Sequence, residues 1–315
     1  MLAAFKESPV EGTRYEFEFA GERGVDGDGI FRDALSAFWQ AVFDKYFDGE
    51  GNVVPIIHPH LSGADYKTMG KIMYVGYLQQ QYFPIMFSLP YILAGLFGAD
   101  CVTDTILLEG FVGVLGKVEG SVLTNVLEMG EFDEDSSETL LEIFGRFGVT
   151  RRVTRETVRE IALQCARVML LQRPLFAYQS MELSILTAFP EFSSIDQVKC
   201  LYKAMRPTGR KVAALIQVEP TSNSQRNVVE YLQRAIRSFD EDLLMRFLRF
   251  ATGSDSLGVP TIAVQFTSLA GLQRRIVAHT CTATLDVPVT YASYREFRSE
   301  LICQLNSDYW DIDYV

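Results

Sequence analysis

The residues able to do covalent chemistry gather late in the chain, in Ala278-His279-Thr280-Cys281-Thr282-Ala283-Thr284-Leu285-Asp286-Val287-Pro288. A thiol is only partly ionised at neutral pH, yet sulfur is a strong nucleophile and a good thioester leaving group. His279 stands two residues before Cys281, which on an extended strand puts both on one face. From there an imidazole can activate a thiol or carry a proton. Thr280 and Thr282 are placed to hydrogen-bond the loop, and the late carboxylates Asp308, Asp311 and Asp313 to help deprotonate an attacking amine. The competing reading of Cys281 is packing, since an unpaired cysteine is most often a small buried hydrophobe. Composition alone favours packing, and the same reading holds for Cys101, Cys165, Cys200 and Cys303, which lie in apolar helical contexts.

Two other strings invite functional readings and are better explained as turns. Gly24-Val25-Asp26-Gly27-Asp28-Gly29-Ile30 has the glycines and aspartates of a calcium loop or phosphate cradle. It lacks both the further oxygen ligands with a closing glutamate and a following G-K-[ST]. It reads as a tight turn leading into a helix. His58-Pro59-His60 has no third ligand nearby and reads as a pair of loop histidines. Five cysteines without C-x-x-C spacing support neither zinc nor a disulfide framework. No metal or cofactor is expected.

The elements that must position Cys281 follow from periodicity. In a chain of 315 residues, 48% hydrophobic and 22% charged, there is material for one large or two moderate cores. Apolar residues at helical spacing (Phe31, Leu35, Phe38, Val42, Phe43) predict a helix from Ile30 to Phe47. Arg14–Phe19 and Val53–Ile57 read as strands. The segment Phe83–Ala99 is uncharged but shorter than the roughly 20 residues of a membrane span, and its prolines predict a broken pair of buried helices. Glu131-Phe132-Asp133-Glu134-Asp135 reads as an exposed loop before a helix at Glu138–Phe147. Val218–Asn227 is polar, holds a proline, and reads as a linker or hinge. Beyond it come helices over Val228–Phe239 and Asp240–Phe250, strands at Thr261–Phe266 and Arg275–Ala278 flanking the cysteine, and a closing helix at Ser293–Leu305.

The pairing of Phe250-Ala251-Thr252-Gly253-Ser254 with Ala278-His279-Thr280-Cys281 resembles the C-terminal lobe of HECT-type ubiquitin ligases. That family carries an F-x-T-G-S turn and then an A-x-T-C loop, followed by L-x-[LV]-P, here Leu285-Asp286-Val287-Pro288. Upstream, Asp26-Gly27-Asp28-Gly29-Ile30-Phe31-Arg32-Asp33 is similar to the family's D-x-G-G-[VL]-x-[RK]-[ED] loop. Gly70-Lys71-Ile72-Met73-Tyr74, running on to Gly98, is a looser version of its G-[RK]-x-x-[GA] helix. The likeness is good over residues 228–305, loose over 20–98 and slight over 100–150. The family usually has phenylalanine and asparagine straight after the cysteine, where Thr282 and Ala283 stand here. The pattern looks most like divergent HECT domains of the G2/M-phase-specific ligase type.

The resemblance implies a bilobal α+β fold: a mainly helical N-lobe over residues 1–217, a hinge at 218–227, and a smaller α/β C-lobe over 228–315. It implies an enzyme that accepts ubiquitin from a charged ubiquitin-conjugating enzyme onto Cys281 as a thioester and passes it to a lysine of a substrate protein, with His279 and Thr280 beside the thiol. The alternative is a HECT-like interaction domain that binds ubiquitin or a conjugating enzyme without catalysis. A Cys–His hydrolase is a third, weaker reading, because no orienting third residue follows in motif form. A net charge of −11 argues against nucleic acid. No membrane partner is expected, and no secretory leader is legible at the N-terminus. A reducing cytoplasm or nucleus would keep the thiol free. No substrate-recruiting module is seen before residue 20, so the chain is expected to be a catalytic fragment or to rely on partners.

Overall fold

Amphipathic periodicity becomes helix over most of the chain. The computed structural model describes residues 1–7, 15, 29–130 and 132–307. The expected strand at Arg14–Phe19 (except Tyr15), the aspartate–glycine loop at 24–28 and the acidic aromatic tail from Asp308 lie outside the described residues. The helices are α1 (Leu2–Glu7), α2 (Gly29–Tyr46), α3 (Gly63–Gln80), α4 (Leu89–Phe97), α5 (Asp104–Val114), α6 (Lys117–Glu128) and α7 (Glu134–Gly145). They continue as α8 (Val158–Arg167), α9 (Leu175–Met181), α10 (Ile195–Met205), α11 (Gly209–Leu215), α12 (Asn223–Ser238), α13 (Glu241–Thr252) and α14 (Tyr294–Leu305). The strands are β1 (Phe47–Asp48), β2 (Val54–Pro55), β3 (Ile216–Gln217), β4 (Ile262–Thr267), β5 (Val277–His279) and β6 (Thr284–Pro288). The class is α+β, as the sequence predicts.

Backbone proximity groups the chain into two compact units. The first comprises Met1–Val10, Gln40–Tyr74 and Pro84–Tyr202; the second comprises Glu11–Trp39, Val75–Phe83 and Lys203–Val315.

Among its described residues the first unit's only paired strands are β1 and β2, and its other regular elements are helices. The expected strand at Val53–Ile57 shortens to Val54–Pro55, paired with Phe47–Asp48, because a proline has no N–H to continue a ladder. The uncharged stretch at 83–99 is not the expected pair of helices: it holds one α-helix, α4, preceded by non-helical chain, and Pro90 sits in the first turn of α4, where its missing N–H costs nothing. Among the described residues no helix is long and apolar enough to cross a membrane. The acidic run is not a loop ahead of a helix. Asp133 caps α7 by accepting from the Ser136 N–H at 2.9 Å, and Glu134 and Asp135 fill the first turn. Negative charge there complements the unpaired N–H groups of the helix start, so α7 begins at Glu134 rather than Glu138.

The second unit positions Cys281. One apolar core runs from Val212 to Leu305 and includes Val228, Leu232 and Ile236 of α12, Leu244, Phe247 and Leu248 of α13, and Phe297, Leu301 and Leu305 of α14. Each such side chain contributes roughly 1.5–3 kcal/mol by leaving water. These helices pack with a four-stranded sheet in the order β3-β4-β6-β5. Strands β3 and β6 run parallel to β4, and β5 and β6 form an antiparallel hairpin.

The polar run at 218–227 joins two parts of this one core. Ile216 and Gln217 pair with Ile262 and Ala263 of β4, and α12 starts at Asn223 behind a capping box of Ser222 and Gln225. The side-chain oxygen of Ser222 accepts from the Gln225 N–H, and Gln225 Oε1 accepts from the Ser222 N–H at 3.1 Å. The run is polar because it holds a cap and the exposed first turn of a helix.

Candidate active site

Cys281 sits in the four-residue turn, Thr280 to Ala283, that links β5 to β6. The hairpin forms because Val277 and Ala278 are buried on one strand and Leu285 and Val287 on the other. Its register pairs Val277 with Asp286, Ala278 with Leu285 and His279 with Thr284. The approach to β5 is tied to α14, where Gln304 accepts from the Ile276 N–H at 3.3 Å and donates to the Ile276 carbonyl.

The turn is held largely by backbone groups. The Thr282 N–H donates to the His279 carbonyl at 3.2 Å, and the Ala263 N–H of β4 donates to the Ala283 carbonyl at 2.9 Å. Ala283 closes the turn with φ +48°, in the left-handed region where asparagine and glycine sit more easily than alanine. This is where the resembling family usually has asparagine, so the departure at Ala283 has a conformational consequence. Thr282 Oγ1 donates to Thr284 Oγ1 at 3.0 Å. The Thr280 carbonyl accepts from Arg32 at 3.0 Å. The Thr280 hydroxyl is buried without a partner among the described residues.

His279 is half-buried, and its Nε2 lies 3.2 Å from Asp286 Oδ2. Among the described residues no hydrogen bond joins its ring to Cys281; the ring pairs with Asp286 instead. Strand alternation explains this. Asp286 stands directly opposite Val277, and His279 lies two residues along on the same face, so the two make a diagonal cross-strand pair. The sequence carries both residues, but only the register brings them together.

Beside the hairpin lies the Phe250–Ser254 turn. Helix α13 ends at Gly253, whose φ of +77° is a left-handed cap. Thr252, Ser254 and Ser256 are buried yet satisfied: Thr252 Oγ1 donates to the Leu248 carbonyl at 2.7 Å and accepts from the Ser254 N–H at 3.2 Å. Burial pushes the Asp255 carboxyl above the ordinary aspartate range, while the Arg249 charge works against that rise.

Cys281 is partly exposed. Cys165 is buried on α8, where burial pushes its thiol up to about 11. Burial also raises the Cys101 thiol, whereas Cys200 and Cys303 are exposed on α10 and α14. In the first unit, the His60 N–H donates to His58 Nδ1 at 3.3 Å. Among the described residues no group of three or more His, Cys, Asp or Glu side chains is placed to hold a metal ion. Asp308, Asp311 and Asp313 lie outside the described residues.

A thiol on a partly exposed residue of a turn that is fixed by backbone bonds can take up an acyl group from a partner protein and present it again. Residues 197–308 match the family model of the HECT-domain (ubiquitin-transferase). The match takes in the Phe250–Ser254 turn and the whole Cys281 hairpin. No curated protein matches the chain.

Proposed function

We propose, on the premise that residues 197–308 are a HECT-type domain, that this chain is a ubiquitin-protein transferase working through a Cys281 thioester. The observation that carries the reading is the partly exposed Cys281 on its turn inside the matched segment. Cys281 Sγ attacks the carbonyl carbon of the thioester joining ubiquitin to a conjugating enzyme. A new C–S bond forms, the old one breaks, and the conjugating enzyme leaves as its thiol. A substrate lysine nitrogen then attacks the same carbon, an amide forms, and the Cys281 thiol is regenerated. Thioester exchange is near energetic balance, so alignment is the main contribution asked of the protein, and orientation can be worth several kcal/mol. His279, oriented by Asp286, is the group we assign to proton movement beside the turn, and Thr280 holds the turn through its carbonyl. The chemistry needs ubiquitin, a conjugating enzyme and a substrate protein, and a reducing compartment such as cytoplasm or nucleus.

The second reading is a HECT-like domain that binds ubiquitin or a conjugating enzyme without turnover. The feature favouring it is Thr282-Ala283 after the cysteine, where the resembling family usually has phenylalanine and asparagine. A panel of ubiquitin-charged conjugating enzymes separates the two. The transferase reading expects an adduct that disappears on addition of a thiol reductant. Binding to the charged enzymes without any adduct would favour the second reading.

A further inference from the structure

The start of α2 grips the Cys281 turn, although it lies outside the matched segment 197–308. Ile30, Phe31 and Leu35 are buried and fix the helix. Arg32 then reaches across with one guanidinium. Its Nη2 donates to the carbonyl of Thr280, the residue before Cys281, at 3.0 Å, and its Nε donates to the Thr252 carbonyl at 2.9 Å. A third donor, Nη1, reaches Gln80 Oε1 at 3.3 Å. One rigid fork thus ties the cysteine turn to the Phe250–Ser254 turn, a geometry that the single ammonium of lysine cannot reproduce.

Three further contacts from the same two helical turns support it. Ser36 Oγ donates to the Gly253 carbonyl at 2.9 Å. Asp33 and Arg249 form an ion pair at 2.9 Å, both largely buried. The backbone at Gly29 lies so close to the turn that a Cβ there would stand 2.5 Å from Cys281 N and 2.7 Å from its Cα. Among the described residues the apolar core beneath the hairpin runs from Val212 to Leu305. The grip is therefore additional to the core that folds the hairpin, and its effect falls on where the turn is held.

We infer that Arg32 is a positioning residue for Cys281, acting through the Thr280 carbonyl. This rests on the thioester reading for its functional consequence. Without the guanidinium, the turn keeps its β4 bond but loses its link to the Phe250–Ser254 turn, and the thiol spends less time aligned for attack. Since a misplacement of about 1 Å can cost about 100-fold, a fall of roughly 10- to 100-fold in the transfer step is expected.

The experiment compares wild type, Arg32→Ala and Arg32→Lys in the full chain by three readouts: melting temperature, single-turnover formation of the Cys281–ubiquitin adduct, and alkylation of individual cysteines by iodoacetamide followed by peptide mass. In Arg32→Ala, the maximal single-turnover rate should fall at least about tenfold, with the half-saturating concentration of charged conjugating enzyme unchanged. The alkylation rate of Cys281 should shift while those of Cys200 and Cys303 stay as in wild type. Arg32→Lys should recover melting temperature but only part of the rate. Unchanged rates at Cys281 in both assays would overturn the inference, as would full recovery of the rate by lysine. So would equal changes at all three cysteines, which would mark a general loosening. If Arg32→Ala does not fold, the lysine variant decides by the same criteria. If wild type forms no ubiquitin adduct, the thioester reading fails, and the alkylation comparison still decides whether Arg32 places the thiol.

Discussion

Cys281 and Cys165 are the same chemical group held in opposite ways. Cys165 lies on the buried face of α8 beside Ile161 and Ala162, and burial pushes its thiol up to about 11. Packing fixes it and silences it. Cys281 lies on a turn whose carbonyls and N–H groups are taken by His279, Ala263 and Arg32, while the residue stays partly exposed. The backbone fixes it and leaves the residue partly exposed. A reactive group can be given a precise place without being surrounded, provided that the main chain bears the constraint.

The largest expected effect tests that contrast at once. Cys281→Ala should abolish the reductant-sensitive ubiquitin adduct, and Cys165→Ala should leave its rate within about twofold at a temperature where both variants are folded. Equal loss in both would end the distinction. Stability should show the reverse order. Cys165→Ser puts an unpaired hydroxyl into an apolar site and should cost about 1–3 kcal/mol in urea unfolding, whereas Cys281→Ser should stay within about 0.5 kcal/mol. A smaller effect concerns the turn itself: Ala283→Gly should raise stability by about 0.5–1 kcal/mol, because glycine carries no penalty at positive φ. A loss of stability there would mean that the methyl packs more than the backbone strains.

The smallest effect is a pH dependence in the neighbouring turn. The Asp255 carboxyl is raised on folding by burial. The folded state therefore holds its proton to higher pH than the unfolded chain does. Stability from this group is greatest below the unfolded value and is lost as pH rises through the folded one. Asp255→Asn should melt higher than wild type at pH 7, and the difference should shrink as the pH is lowered towards 4. A constant difference across that range would remove charge burial as its cause.

Much of the frame is legible in the chain. The stripe Phe31, Leu35, Phe38 and Val42 gives α2 to within a residue or two, and β4 and β5 fall within two residues of the expected strands, but β6, the strand that follows Cys281, is not among those expected. The polar segment at 218–227 is misleading for a physical reason: the buried stripe of α12 begins only at Val228, so its cap and first turn carry no apolar signal. The acidic run before α7 fails in the same way. The site is only half legible. Cys281 and the Phe250–Ser254 turn stand out as strings, but the Asp286 partner of His279 exists only once the hairpin register is set. Arg32 is visible as part of a motif, yet its bonds to Thr280 and Thr252 cross more than 200 residues. No local pattern encodes such a contact.

The most direct test of the central claim is the mass of the intact protein after exposure to a ubiquitin-charged conjugating enzyme, followed by peptide mapping of the modified position. The account predicts one added ubiquitin, located at Cys281 and released by a thiol reductant. Ubiquitin found instead at Cys200 or Cys303, or no added mass from any charged enzyme that binds, would contradict it.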